Sequence, residues 1–309
     1  MTQEHTSLKL FNKILEVFSG LVFINLLFGP LVRATNSGLA CPDWPLCFGK
    51  FIPHYHFQVW MEFGHRVVSG TIGLILLYIL FLVFKNRYLR ERFAKLGIWS
   101  IILISTQIFL GGLTIWKYLD PTVVNSHLLN AILFFTVIIT MKIKAGYFLQ
   151  FPEKSRMIVK GHLFSSANLF FIMALAAIFI QIFAGGRVSS NYAGLACPDF
   201  PTCNGEWFPA LTEKLVRIQM EHRFGAYIAF AFISLAAIFA TARVKVKKIT
   251  IFTHTSLLLI LLQILIGYLN IQFGLPNLVT ALHTGVAIGI FITMYTAMIH
   301  NLIRLSGDK

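Results

Sequence analysis

Charge is what this chain has least of. Of 309 residues only 12% are charged and only 12 carry a carboxylate, against 57% apolar residues and a mean hydropathy of +0.74. That balance excludes a soluble two-domain protein of this length, and the apolar content excludes intrinsic disorder. Cysteine is scarce too: the four present are too few for a disulfide-dense secreted module. Segments alternating apolar and polar residues over about ten positions are missing, which excludes a lipid-facing β-barrel. What is present is a series of long apolar runs. Eight of them meet or approach the ~18 residues that cross a bilayer: 14–32, 59–84, 96–116, 123–141, 162–186, 215–242, 249–273 and 277–303. The expected fold class is an all-α membrane protein with eight transmembrane helices. No small-residue cleavage pattern follows the first run, so it is expected to remain as helix one.

The formal net charge of +14 and a pI near 9.8 would suggest nucleic acid in a soluble protein. The positions of the charges say otherwise. Eighteen of the 26 Lys and Arg fall on one side of the expected topology. They are Lys9, Lys13, Lys85, Arg87, Arg90, Arg92, Lys95, Lys142, Lys144, Lys154, Arg156, Lys160, Arg243, Lys245, Lys247, Lys248, Arg304 and Lys309. The alternate connections hold Arg33, Lys50, Lys117, Arg187 and Lys214, and Arg66, Arg217 and Arg223 fall within helix starts. By the positive-inside rule both termini and the basic loops are cytoplasmic. The basicity is then topological, and no nucleic-acid partner is implied.

The hexamer Gly38-Leu39-Ala40-Cys41-Pro42-Asp43 recurs unchanged as Gly194-Leu195-Ala196-Cys197-Pro198-Asp199, an offset of 156. The same offset relates Cys47 to Cys203, Gln107 to Gln263, Gly111 to Gly267 and His127 to His283; one of 157 relates His65-Arg66 to His222-Arg223. The chain is an internal duplication, with domains expected at 1–150 and 151–309 joined by the basic linker around 151–160. An even number of spans per half makes both halves enter the membrane in one direction. Two homologous four-helix bundles, related by a pseudo-twofold axis along the membrane normal, are the expected architecture.

The long outer loops, 33–58 and 187–214, each carry a Cys-Pro-Asp-aromatic-Pro-x-Cys segment. Identically spaced pairs on the non-cytoplasmic side imply an oxidising compartment and one disulfide per loop, Cys41–Cys47 and Cys197–Cys203. The plain reading is a loop staple; a redox-active or metal-binding thiol pair is the sharper one, although neither loop supplies the further ligands of a structural zinc site. His54 and His56, without mates in the second loop, read as surface residues.

A metal-ligating or ionisable residue inside a span is costly and is a functional candidate by default. His65, His127, His222 and His283 lie on helices two, four, six and eight, each about two turns, on the order of 10 Å, from the outer end. Within each half two imidazoles can face one another across the bundle, which is what a six-coordinate haem iron needs. His162, His254 and His300 have no repeat mates and read as interfacial. Arg66 and Arg223, with Arg33 and Arg187 where helices one and five emerge, could pair with haem propionates or snorkel to headgroups. The informative break in the repeat is Glu62, one helical turn from His65, against Gln219 before His222. A carboxylate there can move protons and an amide cannot. Glu221 adjoins His222 but points about 100° away, so it is expected in a salt bridge with a nearby arginine.

Taken together, the two four-span repeats, Glu62-x-x-His65-Arg66, His127, Glu221-His222-Arg223, His283 and the cysteine pairs resemble the haem A synthase family over essentially the whole chain. The resemblance implies oxidation of the C8 methyl of haem O to the formyl of haem A by two O2-dependent hydroxylations, for cytochrome oxidase biogenesis. It implies haem b as a prosthetic group between His222 and His283. Substrate haem O would sit near His65 and His127, with Glu62 as the catalytic carboxylate. It also implies a cell (inner) membrane enzyme with cysteine loops and haem sites toward the outer face, fed by a haem O synthase and an external electron donor, in contact with membrane lipid and free to self-associate. A membrane di-haem b-type electron-transfer cytochrome is the competing class. Such proteins commonly stack two histidines per helix, whereas each candidate helix here has one. A repeat-built transporter would show midplane polar sites that are missing here.

Overall fold

The computed structural model describes residues 3–151 and 166–307. Among these residues eight helices are long and apolar enough to cross a membrane. They are α1 (Gln3–Ala34), α2 (Phe57–Lys85), α3 (Arg87–Trp116), α4 (Pro121–Gln150), α5 (Ser166–Ser190), α6 (Lys214–Phe239), α7 (Lys247–Gln272) and α8 (Asn277–Gly307). The protein is a multi-pass α-helical membrane protein. His162, Lys154, Arg156, Lys160 and Lys309 lie outside the described residues.

All eight expected spans are present, and several helices run past the apolar windows. Helix α1 starts at Gln3 because its polar first turns still bury Leu8 and Phe11, the latter packed on Phe93 of α3 with ring centroids 5.0 Å apart. Helix α4 continues to Gln150, carrying Lys144 along the bundle to donate to the backbone oxygen of Arg92. Helix α6 ends in a π turn over Ala240–Val244, stopped where Lys245 adopts φ 55°. Two starts are set by side-chain caps. The Asn86 side chain accepts from Leu89 N at 3.2 Å, and Asp120 accepts from Thr122 N at 2.9 Å ahead of a Pro at the first helical position.

The chain divides into two compact units, Met1–Met157 and Ile158–Lys309. In the first, α1 packs on α2 and α4, and α3 packs on α2 and α4, closing a four-helix ring. In the second, α5 packs on α6 and α8, and α7 on α6 and α8, in the same cyclic order. Each unit is thus a four-helix bundle whose second and fourth helices carry the half-buried histidines. A loop bearing a disulfide follows the first helix of each.

Candidate functional site

Each loop is built around one aspartate and one arginine. Asp43 accepts from Phe48 N at 2.6 Å and Gly49 N at 2.7 Å; Asp199 accepts from Asn204 N at 2.6 Å, Gly205 N at 2.9 Å and the Thr202 hydroxyl. These bonds close turns in which Phe48 and Asn204 have left-handed backbone, φ 55° and 54°. Donors aimed at an anion hold both carboxyls below the usual range: Asp43 chiefly through the Gly49 amide, and Asp199 at about 2 through the Thr202 hydroxyl and then the Gly205 amide. The disulfides Cys41–Cys47 and Cys197–Cys203 are formed.

The arginine after each α2 or α6 histidine closes the loop from below. Arg66 donates to the carbonyls of Asp43 (2.7 Å), Leu46 and Cys41 (3.3 Å), and Arg223 donates to those of Cys197 (2.9 Å), Thr202 and Pro201. Converging carbonyls satisfy a guanidinium in a place where an unpaired charge would be costly. In both bundles the terminal guanidinium nitrogens donate to loop carbonyls, Arg66 also pairing with Glu62, while Arg223 Nε is buried without a hydrogen-bond partner among the described residues. A residue adjacent to the histidine is rotated about 100° from it, which points the arginine at the loop. The same rotation places Glu221 in the expected ion pair, with Arg187 Nη1 2.6 Å from its Oε2.

Glu62 is the buried acid among the described residues. Its Oε2 accepts from Cys41 N at 2.8 Å, and its Oε1 pairs with Arg66. Gln219, in the corresponding place, only reaches Gly194 O at 3.4 Å and leaves its own Oε1 buried without a hydrogen bond. A carboxylate one turn before His65 thus also fastens the cysteine loop of its bundle.

The four histidines are half-buried, and each lies against a glycine of the preceding helix. A Cβ placed on Gly29, Gly111, Gly185 or Gly267 would stand 3.6, 3.3, 3.0 or 3.1 Å from Cε1 of His65, His127, His222 or His283 respectively. In all four positions the missing side chain makes the seat for an imidazole. The rings of His222 and His283 meet in a T-shaped arrangement with centroids 6.3 Å apart at 69°, and His65 lies within electrostatic reach of His127. Gln107 donates toward Nε2 of His127 at 3.2 Å while its own Oε1 accepts from Asn130 at 2.7 Å. Gln181 meets Nδ1 of His222 at 3.0 Å, and Gln263 adjoins His283.

Whether these pairs suit a metal group is testable on their own chemistry. Among the described residues no three His, Cys, Asp or Glu come together, so a bare ion needing about four protein ligands is not served. Two opposed imidazoles do serve a metal that brings four macrocycle nitrogens of its own. Two metal–nitrogen bonds of about 2 Å each plus the inner half of each ring come to about 6 Å between ring centres, close to the spacing of His222 and His283. Nδ1 of His65, His127 and His283 is buried without a hydrogen-bond partner among the described residues. Leaving such an atom unmatched costs roughly 1–3 kcal/mol, so these three rings carry open hydrogen-bonding capacity, whereas His222 has its Nδ1 met by Gln181 and its Nε2 as the open nitrogen. The residues fit a haem.

His54 and His56 are exposed, His54 with its Nε2 2.9 Å from Lys50 Nζ. His254 is exposed and meets Thr250 O, while His300 stacks on Phe252 with centroids 6.0 Å apart. None joins the paired sites. The residues that sequence reading missed are the seats Gly29 and Gly185 and the polar partners Asn25, Ser69, Asn130 and Gln181. The offset of 156 that relates the other pairs also relates Gly29 to Gly185 and would have found them.

Fold and site together define a class: helical membrane proteins that present one half-buried pair of histidines in each of two four-helix bundles. Within that class the chain belongs to the cytochrome oxidase assembly protein family (COX15-CtaA), whose sequence pattern matches residues 12–59 and 54–295. A protein of Shewanella oneidensis named heme A synthase is 28% identical over 92% of this chain and 93% of its own length. Proteins of the same name from Halalkalibacterium halodurans and Bacillus cereus are each 28% identical over 96% of this chain, and over 97% and 93% of their own lengths.

Proposed function

We propose that the chain is a haem A synthase, oxidising the C8 methyl of haem O to a formyl group. The carrying observation is the four imidazoles seated on glycines at equivalent positions of the two bundles, His222 and His283 with ring centroids 6.3 Å apart, in a chain of this family. Haem, when bound, supplies the redox chemistry. His222 and His283 hold haem b as the resident group; His65 and His127 receive haem O. Each of two hydroxylations inserts one oxygen atom of O2 into a C–H bond of the methyl and reduces the other to water, with two electrons from an external donor and two protons. The resulting hydrate loses water to give the aldehyde.

In this reading the first bundle is the reactive one, because Glu62 is there and Gln219 is its counterpart. The loop amide of Cys41 donates to Oε2 of Glu62 and the guanidinium of Arg66 pairs with Oε1, and each oxygen keeps a further lone pair at which a proton can be taken up. The cysteine loop lies directly over this carboxylate and shields it from bulk water. Both termini and the basic loops face the cytoplasm, which puts the cysteine loops and both sites toward the outer side of the cell membrane, in lipid. A haem O synthase is the supplier of substrate.

The test is co-expression with a haem O synthase and chromatography of the extracted haems. Haem A is the expected product. Unmodified haem b alone would instead support an electron-transfer cytochrome.

A further inference from the structure

The two bundles restrain the histidine of their second helix in different ways, and three repeat positions change together. In the second bundle Gln181 of α5 donates from Nε2 to the backbone oxygen of His222 at 2.8 Å and meets the ring at Nδ1, 3.0 Å away. It fits because position 225 is glycine: a Cβ there would lie 2.2 Å from Gln181 Oε1. The neighbouring position is Ala226. In the first bundle the corresponding residues are Asn25, Val68 and Ser69. Asn25 is one methylene shorter and donates instead to the Ser69 hydroxyl at 3.0 Å, which donates to the backbone oxygen of His65 at 2.7 Å. The backbone carbonyl is capped in both bundles, but only the His222 ring is gripped. Neither ring nitrogen of His65 has a hydrogen-bond partner among the described residues. Its seat on Gly29, at 3.6 Å, is also the loosest of the four, with Phe28 edge-on at 5.6 Å.

We propose that Gln181, Gly225 and Ala226 make His222 a permanent iron ligand, whereas Asn25, Val68 and Ser69 leave His65 free to swing off the iron and open a coordination position to a small diatomic molecule. The inference rests on the haem reading above and adds which histidine moves and what allows it. A metal-bound imidazole is fixed by the partner of its other ring nitrogen, and losing that partner typically costs 10–100-fold in metal affinity. An amide serves in either sense, since Nε2 donates and Oε1 accepts. His127 is the better-held member of its pair, because Gln107, oriented by Asn130, meets its Nε2 and leaves Nδ1 as its open nitrogen. Displacement therefore falls to His65. Gln181 and Asn25 are positioning residues, acting through the histidines.

The probe is carbon monoxide added to dithionite-reduced protein, read in the visible spectrum. In wild-type protein made without haem O synthase, the resident haem b is expected to be inert to it. Replacing the second-bundle trio by its counterparts (Gln181→Asn, Gly225→Val, Ala226→Ser) should raise the carbon monoxide-bound fraction at least tenfold at unchanged haem content. Gln181→Ala alone should act in the same direction and remains informative should the triple variant fail to insert. The reverse exchange (Asn25→Gln, Val68→Gly, Ser69→Ala), in protein loaded with haem O, should suppress the carbon monoxide signal of the first bundle. Normal haem content with unaltered carbon monoxide binding in both directions would overturn the inference and leave the haem reading intact. Wild-type protein that binds no haem would overturn the haem reading itself.

Discussion

The two cysteine loops and the helices beneath them diverged to very different degrees. The loops keep the same disulfide, the same aspartate capping two amides and the same arginine gathering carbonyls. The four glycine seats are likewise unchanged. What differs are polar residues within a turn or so of the histidines: Glu62 against Gln219, Asn25 and Ser69 against Gln181 and Ala226, and Asn130 against Val286. Duplication preserved the scaffold, and on the proposed reading a few polar side chains suffice to give the two sites separate work. Ways to break that comparison begin with the histidines.

Removal of one of the proposed haem-holding histidines should have the largest effect. His222→Ala or His283→Ala is expected to abolish most of the tightly bound haem b, while His65→Ala or His127→Ala leaves it largely in place. Equal loss of pigment from all four variants at matched protein level would show that the bundles do not hold separate groups.

Glu62 comes next. A positioned acid or base is worth ~10²–10⁴-fold in rate. Glu62→Gln retains an oxygen for the Cys41 amide but gives up the charge facing Arg66, whereas Glu62→Ala gives up both. Nearly complete loss of haem A in the Gln variant, with haem b retained, is the expected result. Activity surviving in Glu62→Gln but failing in Glu62→Ala would reduce the carboxylate to a loop fastener and make the two bundles chemically alike.

The glycine seats grade the comparison. Gly185→Ala and Gly267→Ala press a methyl to 3.0 and 3.1 Å of a histidine ring and should lower haem b retention several-fold. Gly29→Ala, at 3.6 Å, should be tolerated. Gly70→Ala meets nothing within 4 Å and should be neutral or gain up to about 1 kcal/mol of helix stability. Haem content per protein, with thermal unfolding of each variant, checks the order.

Much of this was legible in the sequence because the membrane and the duplication both write long-range signals. Apolar runs give eight spans, and offsets of 156 and 157 pick His65, His127, His222 and His283 out of ten histidines. Helix ends were less legible: the polar start of α1 is helical because of what Leu8 and Phe11 bury, which no hydropathy window sees. The bonds that Arg66 and Arg223 make to loop carbonyls were not legible beside the histidines, although the rotation between adjacent helical residues, the argument that placed Glu221 beside Arg187, also turns them toward the loop. Gln181 escaped notice because its repeat mate is Asn25, and a search for identity passes over a conservative difference that changes which atom is reached.

The smallest effect should come from the disulfides, and it should differ between the halves. Five residues separate the cysteines of each pair, so closing so short a ring removes only about 2 kcal/mol of chain entropy. Each loop keeps other restraints when its bridge is cut: Asp43 and Arg66 in the first, Asp199 and Arg223 in the second. Acid tests these restraints separately. A carboxyl depressed in the folded state contributes stability above its unfolded value near 3.8 and loses it as pH falls through the folded value, so the Asp199 turn should hold until about pH 2. The first loop is also held by the Glu62 carboxylate on the Cys41 amide at 2.8 Å, a stronger tie than the 3.4 Å contact of Gln219 with Gly194 O in the second, whose own addition is the Thr202 hydroxyl on Asp199. Replacing Cys41 and Cys47 by Ser should therefore speed hydrogen exchange of its loop less than replacing Cys197 and Cys203 speeds exchange in the second. Both double variants should retain substantial turnover. Loss of all haem A in either, with fold and haem content unchanged, would mean that the sulfurs take part in redox chemistry, and equal loosening of the two loops would mean that Glu62 adds nothing to the first.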